Sequence, residues 1–238
     1  MAETETGPGA RTRTGGKAVT PRERYRAQVR AEVKERAWEQ IATAGASGLS
    51  LNAIAKLMGM SGPALYRYFA GRDELITELI RDAYRSLADT LRAAADSGAG
   101  LTGLAHALRG WALGDPQRYL LIYGTPVPGY HAPDDITGIS SEIMTTLLDT
   151  WPEPSPDAPV SPLDTHLDSH REWAAGHPAP SATLHRALSF WTRMHGTLSL
   201  ELAGHFNGMG FDPALLFTAE LTDLVDPPAP RRPEPSPR

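Results

Sequence analysis

The spacing of apolar residues along this chain is helical almost throughout. From 22 to 44, Val29, Val33, Ala37, Trp38 and Ile41 form one stripe of helical period, and Gly45 ends it. Ser50 then stands as an N-cap before Leu51, Ile54, Ala55 and Met58, at i, i+3, i+4 and i+7, which predicts a short second helix. Gly59 suits the left-handed position after that helix, Met60 turns back to the core, and Ser61 caps a third helix with Pro63 in its first turn. Leu65 and Phe69, four apart, share the buried face of this third segment, while Tyr66, Arg67 and Tyr68 splay to its other faces. Gly71 precedes a long fourth helix from Arg72 to about Ala95, with Glu74 placed to support its first turn.

The remainder continues in the same way. Residues 101 to 113 read as a helix, and Asp115 with Pro116 starts another. The stretch TPVPGYHAP is a loop, and residues 136 to 150 are helical. Five prolines between 152 and 162 preclude regular structure there, and a minor helix is expected over 163 to 175. The strongest signal is residues 184 to 206, where Leu184, Leu188, Trp191, His195, Leu198 and Leu202 recur at the seam spacing of helices packed on helices. A last helix over 212 to 224 puts Ala214, Phe217, Leu221 and Leu224 on one face, and the final twelve residues, half of them proline, read as a disordered tail. There is no fixed-period repeat.

Composition narrows the classes. A chain of 238 residues with 41% hydrophobic and 21% charged residues has material for a proper core. No stretch is long and apolar enough to span a bilayer, and the start lacks a secretory apolar region, so a cytoplasmic location is the default expectation. With no cysteine, disulfides, thiolate metal sites and cysteine nucleophiles are excluded. The net charge of −5 argues against nucleic acid until it is divided. Residues 1 to 85 hold 14 basic and 10 acidic groups, and residues 86 to 238 hold 9 and 18, giving balances of +4 and −9. A basic module joined to an acidic body is the reading, against the plainer one of a solvated helix face.

The basic module contains the candidate chemistry. Two short helices joined through a glycine turn, the second with small groups at its start, make a helix-turn-helix whose second helix fits a major groove. Phenols and arginines are good phosphate ligands, which set register without reading bases. Beyond this pattern, "IATAGASGLSLNAIAKLMGMS" followed by "ALYRYFAGRDELI" resembles the N-terminal domain of the TetR family of transcriptional regulators. The resemblance implies phosphate contacts from Ser50, Tyr66, Tyr68 and Arg72, and a recognition surface including Ser61, Gly62, Ala64 and Arg67. Gly71 stands where that family often has a serine cap, a change worth a few tenths of a kcal/mol. Direct readout must lean on Ser61 and Arg67, because Gly62, Pro63 and Ala64 offer only backbone or a methyl. Arg11, Arg13, Lys17, Arg22, Arg24 and Arg26 either enter a flanking minor groove or form a tail that raises nonspecific affinity.

The expectation is therefore an all-α chain: a flexible basic arm (1–21), a three-helix helix-turn-helix DNA-binding domain (22–70), a helical effector-binding and dimerisation domain (71–226), and a Pro-rich tail (227–238). Trp191, His195 and Gly196, with "DPQRYLLIYGTP" upstream, resemble a branch of the family with a Trp-x-x-x-His-Gly signature. The resemblance implies a homodimer through the last two helices, here Leu184, Leu188, Leu198, Leu202, Phe217 and Leu221. It further implies a palindromic double-stranded DNA operator and a small, mostly apolar effector. Trp111, Tyr119, Tyr123, Trp151 and Trp191, with His106 and His195, are the expected lining of its cavity. No cofactor, resident metal, catalytic group or membrane partner is expected. A metal-dependent enzyme is the alternative, since His166 and His170 lie four apart with Asp164, Asp168 and Glu172 close by. "HLDSH" lacks the glutamate a zincin-like site uses, and no phosphate loop or nucleophile motif appears. A DNA-binding protein without any ligand is the other alternative.

Overall fold

The computed structural model describes residues 20–124, 130, 133–152 and 159–226, and among these every regular element is helical. The basic arm up to residue 19 and the tail from 227 lie outside the described residues, as does most of the 125–132 loop and of the proline-rich stretch.

Helix α1 (Pro21–Ala44) opens with a capping box. Thr20 Oγ1 accepts from the Glu23 amide, Glu23 accepts from the Thr20 amide, and Pro21 costs nothing in the first turn. Its buried stripe is Val29, Val33, Ala37 and Ile41, and Gly45 at φ 69° ends it. A 3-10 turn (Ala46–Gly48) leads to α2 (Leu51–Leu57), where Ser50 Oγ accepts from the Ala53 amide at 3.3 Å. Gly59, at φ 65°, lets the Met60 amide reach back to the Ala55 carbonyl (2.8 Å), closing α2 in a left-handed cap.

The third helix is shorter than its apolar spacing suggests. It covers only Gly62–Leu65 (α3), and Tyr66 to Tyr68 form the turn that follows. Ser61 occupies its N-cap position without a side-chain capping bond, whereas Leu65 and Phe69 are both fully buried. Helix α4 (Arg72–Asp96) lacks a side-chain cap at Gly71, and Glu74 compensates by accepting from the Ala70 amide at 2.5 Å.

Two hydrophobic cores result. The head core gathers Val33, Ile54, Leu65, Phe69, Leu75 and Leu79, and the body core gathers Leu87, Leu104, Tyr119, Ile143, Leu184 and Phe217. Helix α4 belongs to both, its first half buried in the head and its second in the body. The body is completed by α5 (Gly100–Gly114), α6 (Pro116–Tyr123), α7 (Asp134–Thr150), α8 (Pro162–Ser169), α9 (Ser181–Leu202) and α10 (Pro213–Val225). Asp115 caps α6 as the sequence predicts, accepting from the Arg118 amide. The expected 163–175 helix stops at Ser169, with only a 3-10 turn at Glu172–Ala174 beyond it, and α9 ends at Leu202 rather than 206. Gly204, at φ 77°, starts the exposed connection to α10.

Tyr84 and Ile122 pack against both cores. Helix α6 also touches α1 of the head and α9 of the body, and Arg118 lies over the Trp38 ring at 5.7 Å. The body is therefore fastened to the head by a continuous α4 and by the short α6.

Candidate functional site

The head presents α3 and its following turn to solvent while α1 holds them from behind. Tyr66 and Arg67 are exposed, Tyr68 is half-buried, and Ser61 is exposed at the start of α3. The Arg30 guanidinium donates to the Tyr68 carbonyl and lies over the Phe69 ring at 4.1 Å, with Glu78 3.5 Å away. Arg26 donates to the Arg67 carbonyl at 3.2 Å. These carbonyls lie just past a one-turn helix too short to bond them internally, so two arginines of α1 replace the missing helical partners. Arg26 therefore belongs to α1 rather than to the arm, and Arg30 acts beside it; the basic, half-apolar face of α1 is the signal for both.

The other reading-head residues differ in their freedom. Ser50 is committed to capping α2, and its amide donates to the Gln40 side chain at 3.0 Å. Arg72 donates to the Ala46 carbonyl at 2.8 Å, which ties the start of α4 to the turn after α1 and leaves part of the guanidinium for an anion. Gly62 faces α2: a Cβ there would stand 3.2 Å from Asn52 Oδ1, so the glycine serves close helix approach. Ala64 is half-buried, and Arg22 and Arg24 are exposed on the first turns of α1. Lys56, exposed in the last turn of α2, adds a cation that sequence reasoning left out.

In the body, the structure brings together four of the seven residues expected around an effector. His195 is enclosed by Trp191 (ring centroids 4.1 Å), Tyr123 (4.3 Å) and Tyr119 (5.6 Å, stacked). The Tyr119 hydroxyl is 3.0 Å from His195 Nδ1, 3.2 Å from the His195 carbonyl and 2.9 Å from Ser199 Oγ, so it is fully occupied. Burial pushes the His195 imidazole down to about 3, which leaves it neutral, and burial raises the phenol of Tyr123 well above its ordinary value. Tyr84, which the sequence did not single out, stands edge-on to Tyr123 at 5.9 Å. Trp111 lines the same core and donates to Ser86 Oγ of α4 at 3.1 Å.

Two expected lining residues lie elsewhere. Trp151 packs on Phe190 and beneath Arg186 (4.4 Å), and His106 is exposed beside Phe217. Aromatic type marks them as candidates, but Trp151 stands at the end of α7 against Phe190, and His106 is on an exposed face of α5.

Four of the six expected dimer residues need correction. Leu184, Leu198 and Phe217 are fully buried and Leu221 nearly so, all within the chain's own core, and Leu188 and Leu202 pack against it. The seam spacing is real, but its partners are α5, α6, α7, α8 and α10 of the same chain. The outward faces are different: Thr192, Arg193, Gly196, Leu200 and Ala203 on α9, and Leu215, Thr218, Ala219 and Thr222 on α10. Leu200 and Leu215 are 46% and 70% exposed.

His166 and His170 are stacked at 3.9 Å, with His170 Nδ1 3.0 Å from the His166 carbonyl. Among the described residues no cluster of three metal-ligating side chains forms, and no helix is long and apolar enough to cross a membrane.

Comparison with known proteins follows this division of the chain. Residues 35–79 match the family model described as bacterial regulatory proteins, tetR family, and residues 101–224 match a tetracyclin repressor-like C-terminal domain. The HTH-type transcriptional regulators Rv1816 of Mycobacterium tuberculosis and Mb1846 of Mycobacterium bovis are each 35% identical over 223 residues, spanning 87% of this chain and 95% of theirs. A crystal structure of a protein described as regulatory, SCO4313, is 73% identical, with a TM-score of 0.80 over 87% of this chain and 99% of its own. A TetR-family regulator from Bordetella parapertussis shares the fold at 15% identity, with a TM-score of 0.53 over 83% of this chain and 94% of that one.

Proposed function

Because the chain belongs to the TetR family of DNA-binding transcriptional regulators, we infer that it acts as a homodimeric repressor that binds a palindromic operator and is released by a small ligand. The observation that carries the reading is the fastening of the turn after α3 by Arg26 and Arg30, which leaves Ser61, Tyr66 and Arg67 outward on a fixed support. Ser61 and Arg67 read base edges, while Tyr66, Tyr68 and the free part of Arg72 contact phosphates. Arg22 and Arg24 extend the basic surface along α1. The domain limits that suit this division are a head that takes in the first half of α4, whose Leu75, Ile76 and Leu79 complete its core, rather than one ending at residue 70, and a body running to 226.

The dimer uses the outward faces of α9 and α10. Their small side chains allow close helix approach around Leu200 and Leu215, and Gly196, where an added Cβ would meet nothing, lies in the same stripe. Two such subunits present two reading heads to half-sites about one helical turn apart. Release follows if a ligand prefers the conformation in which the heads are wrongly spaced.

Selection of bound duplexes from a random pool at near-physiological salt, with sedimentation of the same protein, tests this reading. A palindrome and a dimer support it. A sequence-specific but monomeric protein, or a dimer that enriches no motif, would sink it.

A further inference from the structure

We propose that the cluster formed by Tyr84, Tyr119, Tyr123, Trp191 and His195 takes an uncharged, flat aromatic ligand that carries a hydroxyl, with Tyr123 and His195 as its hydrogen-bonding anchors. The inference rests on reading the body as effector-binding and names the chemical class of that effector.

The first observation is unequal satisfaction of polar atoms. Tyr119 makes three polar contacts within the cluster, yet the neighbouring Tyr123 hydroxyl and His195 Nε2 are buried with no partner among the described residues. The Tyr130 hydroxyl is in the same state. A buried polar atom left unpaired costs about 1–3 kcal/mol, so two on touching rings mark a place where a polar group is missing. The contacts of Tyr119 with His195 Nδ1 and the adjoining carbonyl fix the imidazole, and Nε2 is therefore held in one direction. Depending on which nitrogen carries the proton, Nε2 donates or accepts. A ligand hydroxyl does both and serves either tautomer.

The second observation is the absence of free charge. Two ionic pairs on the packed elements leave no net charge, Arg109 with Glu201 at 2.6 Å and Arg118 with Asp115 at 3.0 Å, although Arg109 Nε and Glu201 Oε2 are themselves buried without a hydrogen-bond partner among the described residues. With the imidazole neutral and the phenols protonated, a charged ligand would be buried without a counter-ion. The faces of Trp191 and Tyr123 instead offer aromatic contact. Tyr123 is the last residue of the two-turn α6, so its ring can leave its edge contact with Tyr84 without unfolding a long element.

The test uses the full-length protein and three probes of one shape: 2-naphthol, naphthalene and 2-naphthoate, followed by calorimetry at neutral pH. The expected result is one site per chain for 2-naphthol, roughly tenfold weaker binding of naphthalene, and weaker binding still of the anion. In Tyr123→Phe, 2-naphthol should lose part of its advantage over naphthalene, the remainder being held by His195, while naphthalene is unchanged, and an unaltered thermal transition shows that the variant folds. Equal affinity for naphthol and naphthalene, preference for naphthoate, or no binding of any probe by folded protein overturns the proposal and leaves the DNA-binding reading intact. Discrimination as expected with no effect on operator affinity upholds the ligand site and instead sinks ligand-controlled release.

Discussion

Arg30 in α1 donates to the main-chain carbonyl of Tyr68, thirty-eight residues along the chain. The same guanidinium covers Phe69 and lies near Glu74 and Glu78 of α4, so one side chain joins α1, the reading turn and α4. Lysine cannot reproduce this, because it lacks the planar fork that serves several acceptors while stacking on a ring. Arg30→Lys is expected to cost about 1–3 kcal/mol in denaturant unfolding, and to weaken DNA binding evenly across sequences because the whole turn loses its support. A variant with full stability and altered base preference would instead place Arg30 at the bases.

Arg72 ties α4 to the turn after α1 and, on the proposed reading, also meets a phosphate. Arg72→Ala should lower stability by about 1 kcal/mol, through loss of the bond to the Ala46 carbonyl. It should also reduce the salt slope of DNA binding by roughly one unit, because a phosphate contact goes with it. An unchanged slope reduces Arg72 to a strut between α4 and the turn after α1.

Arg67→Ala and Ser61→Ala should change which sequences are enriched, by about 1–3 kcal/mol at one base position, whereas Tyr66→Phe should weaken all sequences alike. If Arg67→Ala alters only the salt dependence, its guanidinium rests on phosphate.

Leu200→Glu or Leu215→Glu places a charge on an outward face and should yield monomers with the helical content of the parent, read by sedimentation and circular dichroism. Leu198→Ala, by contrast, hollows the body core and should cost about 2–5 kcal/mol of stability. Dimers that survive both charged substitutions exclude this face.

His195 ties stability to acidity. Its imidazole is held down to about 3 against an ordinary 6.5 by burial, so the unfolded chain takes up a proton near 6.5 that the folded chain refuses until near 3. Stability is therefore complete above 6.5 and declines as the pH falls through that window. Between pH 6.5 and about 5, where most carboxylates stay ionised, the melting temperature should fall more steeply for the parent than for His195→Asn. Parallel curves would show that water already reaches the ring.

Much of the head was legible in the sequence because its signals are local. Ser50 as a cap, Gly59 as a left-handed stop, and Leu65 with Phe69 on one face are each decided within a few residues. The length of α3 was not, since the carbonyls it leaves open are satisfied by Arg26 and Arg30 from far upstream. In the body, the stripe from Leu184 to Leu202 announced a buried face without saying whose side chains bury it. Periodicity carries no information about whether the partner helix is in the same chain, and here α5, α6, α7, α8 and α10 take that face. Tyr119, Tyr123, Trp191 and His195 were identifiable by type and by family resemblance, but Tyr84 and Ser199 join them only through the crossing of α4, α6 and α9. Trp151 and His106 show the converse error, where residue type suggested a shared site that helix direction denies.

Tyr84 and Ile122 are counted in both cores, and α4 runs unbroken through them. Neither core can be loosened without removing contacts from the other, so heat should melt head and body in one cooperative step. The same sharing widens the genetic target. A selection for chains that no longer hold their operator should return substitutions around Tyr84, Ile122 and Trp38 as readily as ones in the reading turn, and an isolated head cut after residue 70 would forfeit the α4 side chains that complete its own interior.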